Sequence, residues 1–443
     1  MTAVPSLLAC SPQEFVNYLK EQEIGRIYFA YDPDKRHLAA SHKQLQPIAD
    51  YFAADKRDFM QHEGFFVQLN HKYDTLLGAF VHRTNRGQAA GGVRYWQYET
   101  MADYFRDGLR LAKGMTRKNA LAGLWWGGGK GVMAFNPSLD KMDKTIRKEL
   151  YQDYGRFMTS LGGCYVTAED AGTHVTDMAE IFSQTRFTTC IPSFLGGSGN
   201  PSVPTAQGIV SGMEAALKFC GMGTLKNKTI AVQGMGNVSQ PLIRFLFNKG
   251  VSKITASDIF PDLVSKVKKM FSSQNFEGLL VKPGDDSIFR QECDILSPCA
   301  VGAVLNPQTI PLIRAKIICG AANNQLEDSA RDDQLLLDHG KIYVPDFLTN
   351  RMGIVNCANE QYGFVNDDPA VERHLTKDWE FSIHQKTMDV LNSSKKNSLP
   401  SAKIALEMAD KLSLENHPIF GHRGVQIIRS LIEGGWAEQQ IGG

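Results

Sequence analysis

The chain has 443 residues, of which 43% are hydrophobic and 21% are charged, as in a globular protein large enough for at least two hydrophobic cores. This composition argues against a disordered chain or a coiled coil. The net charge of +1 gives no electrostatic reason to expect binding to nucleic acid or to an anionic membrane surface. A small molecule is therefore the expected partner.

Hydropathy and cysteine usage favour a cytoplasmic protein. No apolar run approaches the roughly 18 residues that a membrane-spanning helix needs, and no charged segment precedes the short apolar patch at 7–9. The eight cysteines are scattered, and none forms a CxxC pair. Reduced, mostly buried thiols are the expectation for such a pattern.

Residues 1–203 are predicted to form an α+β domain. Its elements are a hairpin region at 64–96 and two helices at about 99–118 and 142–160. The N-terminal extension, residues 1–73, yields no prediction beyond a helix at 15–22. We expect this first domain to bind substrate and to carry oligomer contacts.

From Pro204 the pattern changes to alternating strands and helices. The first helix carries Ile209, Met213 and Leu217 on one face, because residues four apart share a side of a helix. Six β-type runs follow, at 229–233, 253–257, 278–281, 294–296, 316–319 and 342–344. Buried strands joined by crossovers predict a parallel, doubly wound sheet over 204–366. The helical tail, 367–443, is expected to pack back on the first domain.

A glycine turn follows the first of these strands. The strand at 229–233 runs into the segment GMGNVS, which spans 234–239, and a helix comes next. Gly234 permits the tight turn, Gly236 lets the backbone approach a pyrophosphate, and Ser239 is small enough for close helix packing. The helix N-terminus adds free N–H groups for the phosphates. The alternative, an ordinary glycine-rich turn, is weakened by this strand–turn–helix order. The predicted binding residues are Gly234, Met235, Gly236, Asn237, Val238 and Ser239.

The coenzyme expected at this turn is NAD. Asp258 stands at the end of the second strand, 24 residues after Gly234, where a carboxylate accepts hydrogen bonds from the ribose diol of the adenosine. The same charge disfavours a 2′-phosphate, and no arginine lies next to Asp258. A surface aspartate in a loop is the alternative. The fold class is thus α/β, with a Rossmann-like NAD domain and a second domain, and the site in the cleft between them.

A second glycine-rich segment, GLWWGGGKG, covers 123–131. It lacks the spacing and the Ser or Thr of a nucleotide P-loop. Its three glycines would let the backbone approach a ligand, and Trp125 and Trp126 could exclude water from Lys130 and lower the pKa of that lysine. Taken singly, Lys118 and Lys130 are otherwise ordinary surface lysines, and Asp170 is an ordinary helix cap.

Eight ordered motifs between about 75 and 365 resemble the glutamate/leucine/phenylalanine/valine dehydrogenases, and among them the leucine dehydrogenase branch most. The motifs are GGVR (91–94), KGMTRKN (113–119), GGGK (127–130), TAEDAGT (167–173), SGNP (198–201), VQGMGNV (232–238), CAVG (299–302) and AANNQ (321–325). The resemblance implies reversible, NAD-dependent oxidative deamination of an L-amino acid to a 2-oxo acid and ammonia. It also implies a homo-oligomer.

The resemblance also implies roles for individual residues. Lys130 would be the catalytic lysine and Asp170 the acid/base that moves protons. Lys118 would hold the substrate's α-carboxylate. Other contacts to substrate or nicotinamide would come from Gly91, Asn323, Thr205 and Ala300.

Two positions predict an apolar substrate. Glutamate-specific relatives have a lysine where Ala90 stands and a serine where Cys357 stands. A substrate carboxylate would find no partner there, at a cost of several kcal/mol. Ile354 lies in the same segment as Cys357. We expect leucine, valine, isoleucine or phenylalanine, and the small residues leave room for tryptophan.

Departures from the family pattern keep alternatives open. Arg351 and Met352 replace an Ala-Gly pair, and Trp126 replaces a smaller residue; Met352 or Trp126 could narrow the pocket. A catalytically idle NAD-binding homologue and a glutamate dehydrogenase are therefore the competing hypotheses. His174 is assigned a local hydrogen-bonding role and Glu169 a loop position. No spacing typical of a metal site is present.

Overall fold

The structure is a computed structural model that describes residues 5–439. The strands are β1 (Arg26–Asp32), β2 (His37–Ala40), β3 (Gly64–Asn70), β4 (Thr75–Arg83), β5 (Ala89–Ala90), β6 (Val93–Trp96), β7 (Gly127–Ala134), β8 (Tyr165–Val166), β9 (Thr229–Gln233), β10 (Lys253–Asp258), β11 (Phe276–Leu280), β12 (Ile295–Pro298), β13 (Ile317–Ile318) and β14 (Ile342–Tyr343). The helices are α1 (Ser6–Ala9), α2 (Pro12–Glu21), α3 (Gln46–Ala54), α4 (Met101–Leu121), α5 (Lys144–Ser160), α6 (Val175–Phe182), α7 (Ser202–Phe219), α8 (Ser239–Asn248), α9 (Pro261–Met270), α10 (Arg331–Asp338), α11 (Asp346–Thr349), α12 (Met352–Ala358), α13 (Pro369–Glu372), α14 (Ile383–Asn397), α15 (Ser401–Leu412) and α16 (Arg423–Glu433). Among residues 5–439, no helix has the length and apolar character needed to cross a membrane.

The N-terminal half is built on a mixed sheet in the order β2-β1-β3-β4-β7-β5-β8, with β6 beside β7. Strands β3 and β4 form an antiparallel hairpin, and β7 pairs antiparallel with β4. On its other side β7 pairs in parallel with β5 and β6. Helix α4 packs along β7 and β4. This arrangement confirms the predicted α+β character and the hairpin region.

The N-terminal extension is an integral part of this sheet. Helix α2 begins at a Ser11 cap, whose partner Glu14 completes a capping box, and it buries Phe15, Val16 and Leu19. Strand β1 pairs with β3, and β2 pairs with β1, so residues 1–73 contribute three strands of the sheet, β1, β2 and β3. The predicted helix at 15–22 is α2. Apart from the hairpin region that begins at 64, the rest of the extension carried no prediction, and the pairing of β1 with β2 and β3 is seen only in the structure.

The second sheet is entirely parallel, in the order β11-β10-β9-β12-β13-β14. All six predicted strands exist, and none of their ends is displaced by more than two residues. The chain runs outward from β9 through β10 to β11, then returns to β12 on the other side of β9. This reversal creates a crevice at the carboxyl ends of β9 and β12, where ligands bind in doubly wound sheets.

The C-terminal helices connect the two halves. Helix α14 packs on α7, and α15 packs on α14 and α4. Arg117 of α4 forms a two-point ion pair with Asp410 of α15, at 2.8 Å for each contact. Beyond α16, Trp436 is fully buried in the core of the first sheet. The domain boundaries at 203/204 and 366/367 stay predictions; the first of them falls within the opening turn of α7.

Candidate active site

The structure brings Lys130 and Asp170 into direct contact. Lys130 lies on β7, is 4% exposed, and its Nζ is 2.8 Å from Asp170 Oδ2. Arg94 of β6 donates from Nε to the same oxygen at 3.2 Å. Burial raises the pKa of Asp170, but the positive charges of Lys130 and Arg94 outweigh burial and lower that pKa to about 2. Asp170 is therefore a carboxylate at neutral pH.

Arg94 is positioned by a second carboxylate, Asp107, which also accepts a hydrogen bond from Tyr98. Its Nη1 donates to Asp107 at 3.0 and 3.1 Å, and the Tyr98 hydroxyl donates to Asp107 Oδ2 at 2.7 Å. Arg94 belongs to the GGVR motif, but no role was predicted for it. The motif was the only sequence signal for a role of Arg94, and no motif contains Asp107.

At the glycines around Lys130, protein atoms already occupy the space that a side chain would need. A Cβ at Gly128 would lie 2.0 Å from the Thr116 hydroxyl of α4, and one at Gly129 would lie 2.6 Å from the Tyr165 ring. A Cβ at Gly91 would lie 2.0 Å from the Gly129 carbonyl oxygen. The interpretation that the triple glycine admits a ligand is therefore wrong at Gly128 and Gly129. These glycines let α4 and the neighbouring strands approach β7 closely, and so fix Lys130.

A tight turn after β8 presents Asp170. The Thr173 hydroxyl accepts from the Asp170 N–H at 2.9 Å and lies 2.8 Å from the Asp170 carbonyl oxygen. Gly172 has φ +81°, and a Cβ there would meet the Tyr95 carbonyl oxygen at 2.1 Å. His174 contributes its backbone N–H to Asp177 at 2.7 Å at the start of α6, as its assigned local role requires. The TAEDAGT motif is thus a structural turn with one catalytic candidate at its tip.

Lys118 lies near this pair on the last turn of α4. Asn119 anchors that turn by donating to the Gly127 carbonyl at 2.6 Å. Burial lowers the pKa of Lys118, and the charge of Lys130 lowers it further, while Asp346 and Asp170 oppose the shift. Asp346 comes from α11 of the second half of the chain. Sequence reasoning missed it because nothing local marks a residue 228 positions from its partner.

A separate apolar cluster adjoins the site. Its buried members are Ala90, Trp126, Val166 and Ala358, and the partly buried Ile354 packs against them. Ala90 and Ile354, both candidate substrate contacts, thus lie in one cluster. They come from β5 and α12, so the cluster joins the two halves of the chain.

Of the residues that depart from the family pattern, Trp126 lies in the apolar cluster and Met352 lies outside it. Trp126 is 6% exposed within the apolar cluster, whereas Trp125 is 44% exposed and stacks under the Arg86 guanidinium at 4.2 Å. Met352 packs instead against Ala122, Val355 and Ile383. The suggestion that Trp125 shields Lys130 is therefore wrong, and Met352 lies outside the apolar cluster that contains Trp126. Trp126 is the departure that lines the cluster.

Arg351 is fully buried between the two halves. Its guanidinium donates to the Leu121 carbonyl at the end of α4, at 2.6 Å, and to the Phe381 carbonyl. Burial lowers the pKa of Arg351 to about 9. Arg351 therefore ties the helix that carries Lys118 to the segment before α14.

The predicted coenzyme turn has open backbone at one of its glycines. Gly234 has φ +93°, and a Cβ at Gly236 would meet no atom within 4 Å, so its backbone faces open space. Within residues 5–439, the buried hydroxyl of Ser239 has no hydrogen-bond partner. Asp258 ends β10 and accepts from the Met235 N–H at 2.8 Å. These residues fit a dinucleotide, because open backbone, a free hydroxyl and a strand-end carboxylate lie together.

Of the remaining predicted contacts, Ala300 and Asn323 follow the carboxyl ends of β12 and β13, whereas Thr205 lies on α7. The side chain of Ala300 packs against Gly234, and Thr205 is buried in the first turn of α7. Asn323 is exposed, and its Oδ1 accepts from Asn350 Nδ2 at 2.7 Å. Of the turn residues, Met235 is buried, Val238 is half-buried and Asn237 is exposed.

Comparison with known proteins identifies the family. Residues 66–187 match the model of the Glu/Leu/Phe/Val dehydrogenase dimerisation domain, and residues 196–411 match the model of the Glutamate/Leucine/Phenylalanine/Valine dehydrogenases. The chain belongs to this family, and the resemblance drawn from its motifs is confirmed.

Individual relatives agree with this assignment. A leucine dehydrogenase of Bacillus subtilis (strain 168) is 40% identical over 332 residues, which cover 75% of this chain and 85% of the relative. A valine dehydrogenase of Streptomyces coelicolor is 36% identical over 340 residues, covering 76% and 88%. The crystal structure of L-tryptophan dehydrogenase from Nostoc punctiforme superposes with a TM-score of 0.65 at 29% identity, covering 80% of this chain and 96% of that chain.

Proposed function

We propose that this chain is an NAD-dependent dehydrogenase that deaminates apolar L-amino acids to 2-oxo acids and ammonia, reversibly. The observation that carries the proposal is the buried contact between Lys130 and Asp170, at 2.8 Å, beside a second lysine, Lys118. Two cations and a carboxylate in one site suit a substrate with its own carboxylate and amino group. Two of the relatives are named as a leucine dehydrogenase and a valine dehydrogenase.

Each charged group has a task in this reaction. Lys118 pairs with the α-carboxylate and so fixes the Cα of the substrate. Lys130 first gives a proton from its ammonium to Asp170, and its neutral amine then takes a proton from the water that attacks the iminium carbon. Asp170 passes the proton it received to the substrate nitrogen, which leaves as ammonia. The 2.8 Å contact gives a direct path for a proton between Lys130 Nζ and Asp170 Oδ2. NAD, when bound, supplies the acceptor for the hydride that leaves Cα.

The coenzyme is assigned to the turn that follows β9. Gly234, Gly236 and Ser239 would receive the pyrophosphate, and Asp258 would receive the ribose diol of the adenosine. Asn323, Thr205 and Ala300 would lie toward the nicotinamide. The switch point of the sheet, between β9 and β12, supports this placement.

The substrate side chain is assigned to the apolar cluster. Ala90, Trp126 and Ile354 present carbon atoms, with Cys357 one residue before the buried Ala358. An ionised side chain would be desolvated there without a partner, at a cost of several kcal/mol. Pockets of this kind discriminate weakly between alkyl chains, by about 1 to 3 kcal/mol per methylene, so we expect overlapping activity on leucine, valine, isoleucine and phenylalanine.

A substrate panel tests the proposal. Purified protein with NAD and each of the twenty L-amino acids is followed at the absorbance of NADH, and the reverse reaction is followed with 2-oxo acids and ammonia. We expect turnover of aliphatic or aromatic amino acids and none of glutamate. Turnover of glutamate alone would identify a glutamate dehydrogenase instead, and NAD binding without turnover of any amino acid would identify an idle homologue.

We also propose a cytoplasmic homo-oligomer. The matched N-terminal model is described as a dimerisation domain, and all eight cysteines are free thiols. Sedimentation velocity on the purified full chain measures the assembly, and a monomer at micromolar concentration would contradict this part of the proposal.

A further inference from the structure

Two buried thiols meet beside the apolar cluster. Cys190 Sγ and Cys357 Sγ are 2.9 Å apart and share a hydrogen bond, although 167 residues separate them in the chain. Both side chains are almost fully buried, at 3% and 1% exposure. Among the described residues, no other two cysteines are joined by a hydrogen bond. The proposed reaction uses neither sulfur.

A shared carboxylate holds the two segments that carry these thiols. Glu360 follows α12 and accepts from the backbone N–H groups of Cys190 and Ile191, each at 2.7 Å. It also accepts from the Ser198 hydroxyl at 2.8 Å. Cys190 is held with φ +59°, in the left-handed region that a cysteine seldom adopts. The contact between the sulfurs is therefore built by the surrounding structure.

The position of the pair links it to the proposed side-chain pocket. Cys357 lies on α12 between Ile354 and Ala358, which both belong to the apolar cluster. Cys190 lies in the segment that joins the two family-matched regions, between residues 187 and 196. A covalent bond between them would fix a pocket helix of the second half to the first half.

We propose that Cys190 and Cys357 form an oxidative modification site, at which a peroxide converts the two thiols to a disulfide and reversibly stops turnover. The loss of turnover rests on the proposed function, whereas the disulfide itself does not. In a disulfide the sulfurs are about 2.05 Å apart, so Cys190 and Cys357 need to approach by only about 0.9 Å.

The chemistry balances with a peroxide as the oxidant. One thiol loses its proton, and its sulfur attacks a peroxide oxygen; the O–O bond breaks, leaving a sulfenic acid and one water. The second sulfur then attacks the sulfenic sulfur, so that the S–S bond forms, the S–O bond breaks and a second water leaves. Two electrons pass from the sulfurs to the peroxide. A dithiol reductant reverses the change by thiol–disulfide exchange.

The environment of Cys190 sets the conditions for the reaction. The hydrogen bond to Cys357 and burial raise the pKa of the Cys190 thiol, and a thiol reacts only as its thiolate. We therefore expect oxidation to be slow at neutral pH and faster under mildly alkaline conditions. The disulfide would hold α12 against the connecting segment, and a displacement of about 1 Å at a site of this kind can cost a hundredfold in rate.

Mass spectrometry with an activity assay tests the proposal on the full chain. Protein is treated with hydrogen peroxide at mildly alkaline pH, free thiols are blocked with N-ethylmaleimide, and peptides are mapped without reduction. We expect a peptide pair joined through Cys190 and Cys357, and a fall in leucine turnover by about tenfold or more that dithiothreitol restores. Absence of that peptide pair, or its formation with unchanged turnover, overturns the proposal.

Three variants sharpen this test. Cys190→Ser and Cys357→Ser should each lose the peroxide sensitivity, measured as the ratio of treated to untreated activity of the same variant. Cys10→Ser, which removes a partly buried thiol of α1's C-cap, should keep the sensitivity of the unaltered chain. If untreated protein turns over no amino acid, the proposed function fails, while the peptide map still decides whether the disulfide forms.

Discussion

The two sheets of this molecule hold their polar groups in opposite ways. Beside the first sheet, a continuous chain of ion pairs joins Lys130 and Arg94 of its strands to Asp170 and Asp107. On the second sheet, Gly236 faces open space, and the buried Ser239 hydroxyl has no partner among the described residues. The proposed catalytic groups are thus satisfied by each other, while the proposed coenzyme groups keep hydrogen-bonding capacity for a ligand.

The physical reason for this difference is charge. A buried ion without a partner costs several kcal/mol, so Lys130 and Asp170 need one another in the folded protein. A neutral hydroxyl or an open backbone segment costs far less. The comparison predicts that changes on the first sheet abolish chemistry, whereas changes on the second weaken coenzyme binding.

The largest expected effect belongs to Lys130. Lys130→Ala removes the proposed base, and we expect kcat to fall by about 10²- to 10⁴-fold while the affinity for NAD, measured by isothermal titration calorimetry, is retained. The control is Lys148→Ala, which removes an exposed lysine of α5. Turnover by Lys130→Ala at the rate of the control would contradict the assignment.

A smaller effect is expected at the coenzyme turn. Asp258→Ala removes the carboxylate proposed to bind the ribose, and we expect affinity for NAD to fall by about 10- to 100-fold, because hydrogen bonds to a charged group contribute about 1.5 to 3 kcal/mol. The preference for NAD over NADP should shrink as well. Asp262→Ala, which changes an exposed aspartate in the first turn of α9, is the control. Equal losses in both variants would argue against the ribose contact.

Two adjacent tryptophans sharpen the assignment of the side-chain pocket. Trp126→Leu should free space within the apolar cluster for a larger substrate side chain. We expect it to raise the kcat/KM for tryptophan relative to leucine by about tenfold. Trp125→Leu changes a half-exposed ring against Arg86 and should leave that ratio unaltered. If both variants shift the ratio alike, the pocket lies elsewhere.

The smallest expected effect concerns stability and pH. Burial, and then the charges of Asp177 and Asp170, raise the pKa of Glu169 to about 6 from its ordinary value of 4.5. A raised carboxyl pKa stabilises the fold below about pH 4.5, and that contribution is lost as the pH rises through about 6. Glu169→Gln cannot ionise, so its Tm relative to the unaltered chain should rise by a few degrees between about pH 4.5 and 7.5.

Calorimetry at both pH values measures this difference. Glu433→Gln, at the exposed end of α16, controls for the loss of one surface charge. A Tm difference for Glu169→Gln that does not change with pH would show that Glu169 is not a buried, destabilised carboxylate.

Much of the second half of the chain could be predicted from sequence, because its signals are local. Strand β9, the glycine turn and the helix that follows are consecutive, and Asp258 is one strand further on. Their chemistry depends on spacing within about 30 residues, which the chain itself fixes. The motifs likewise placed Lys118, Lys130 and Asp170 in one site through their family resemblance.

Only the tertiary structure decided which distant groups meet. The pairing of Arg94 with Asp170, the approach of Asp346 to Lys118, and the contact between Cys190 and Cys357 join segments that no sequence period relates. The same holds for the glycines before Lys130, whose function is set by helix α4 and Tyr165 packing against them. Sequence determines local conformation through nearby backbone and side-chain sterics, whereas charge pairing and close packing depend on which surfaces the fold brings together.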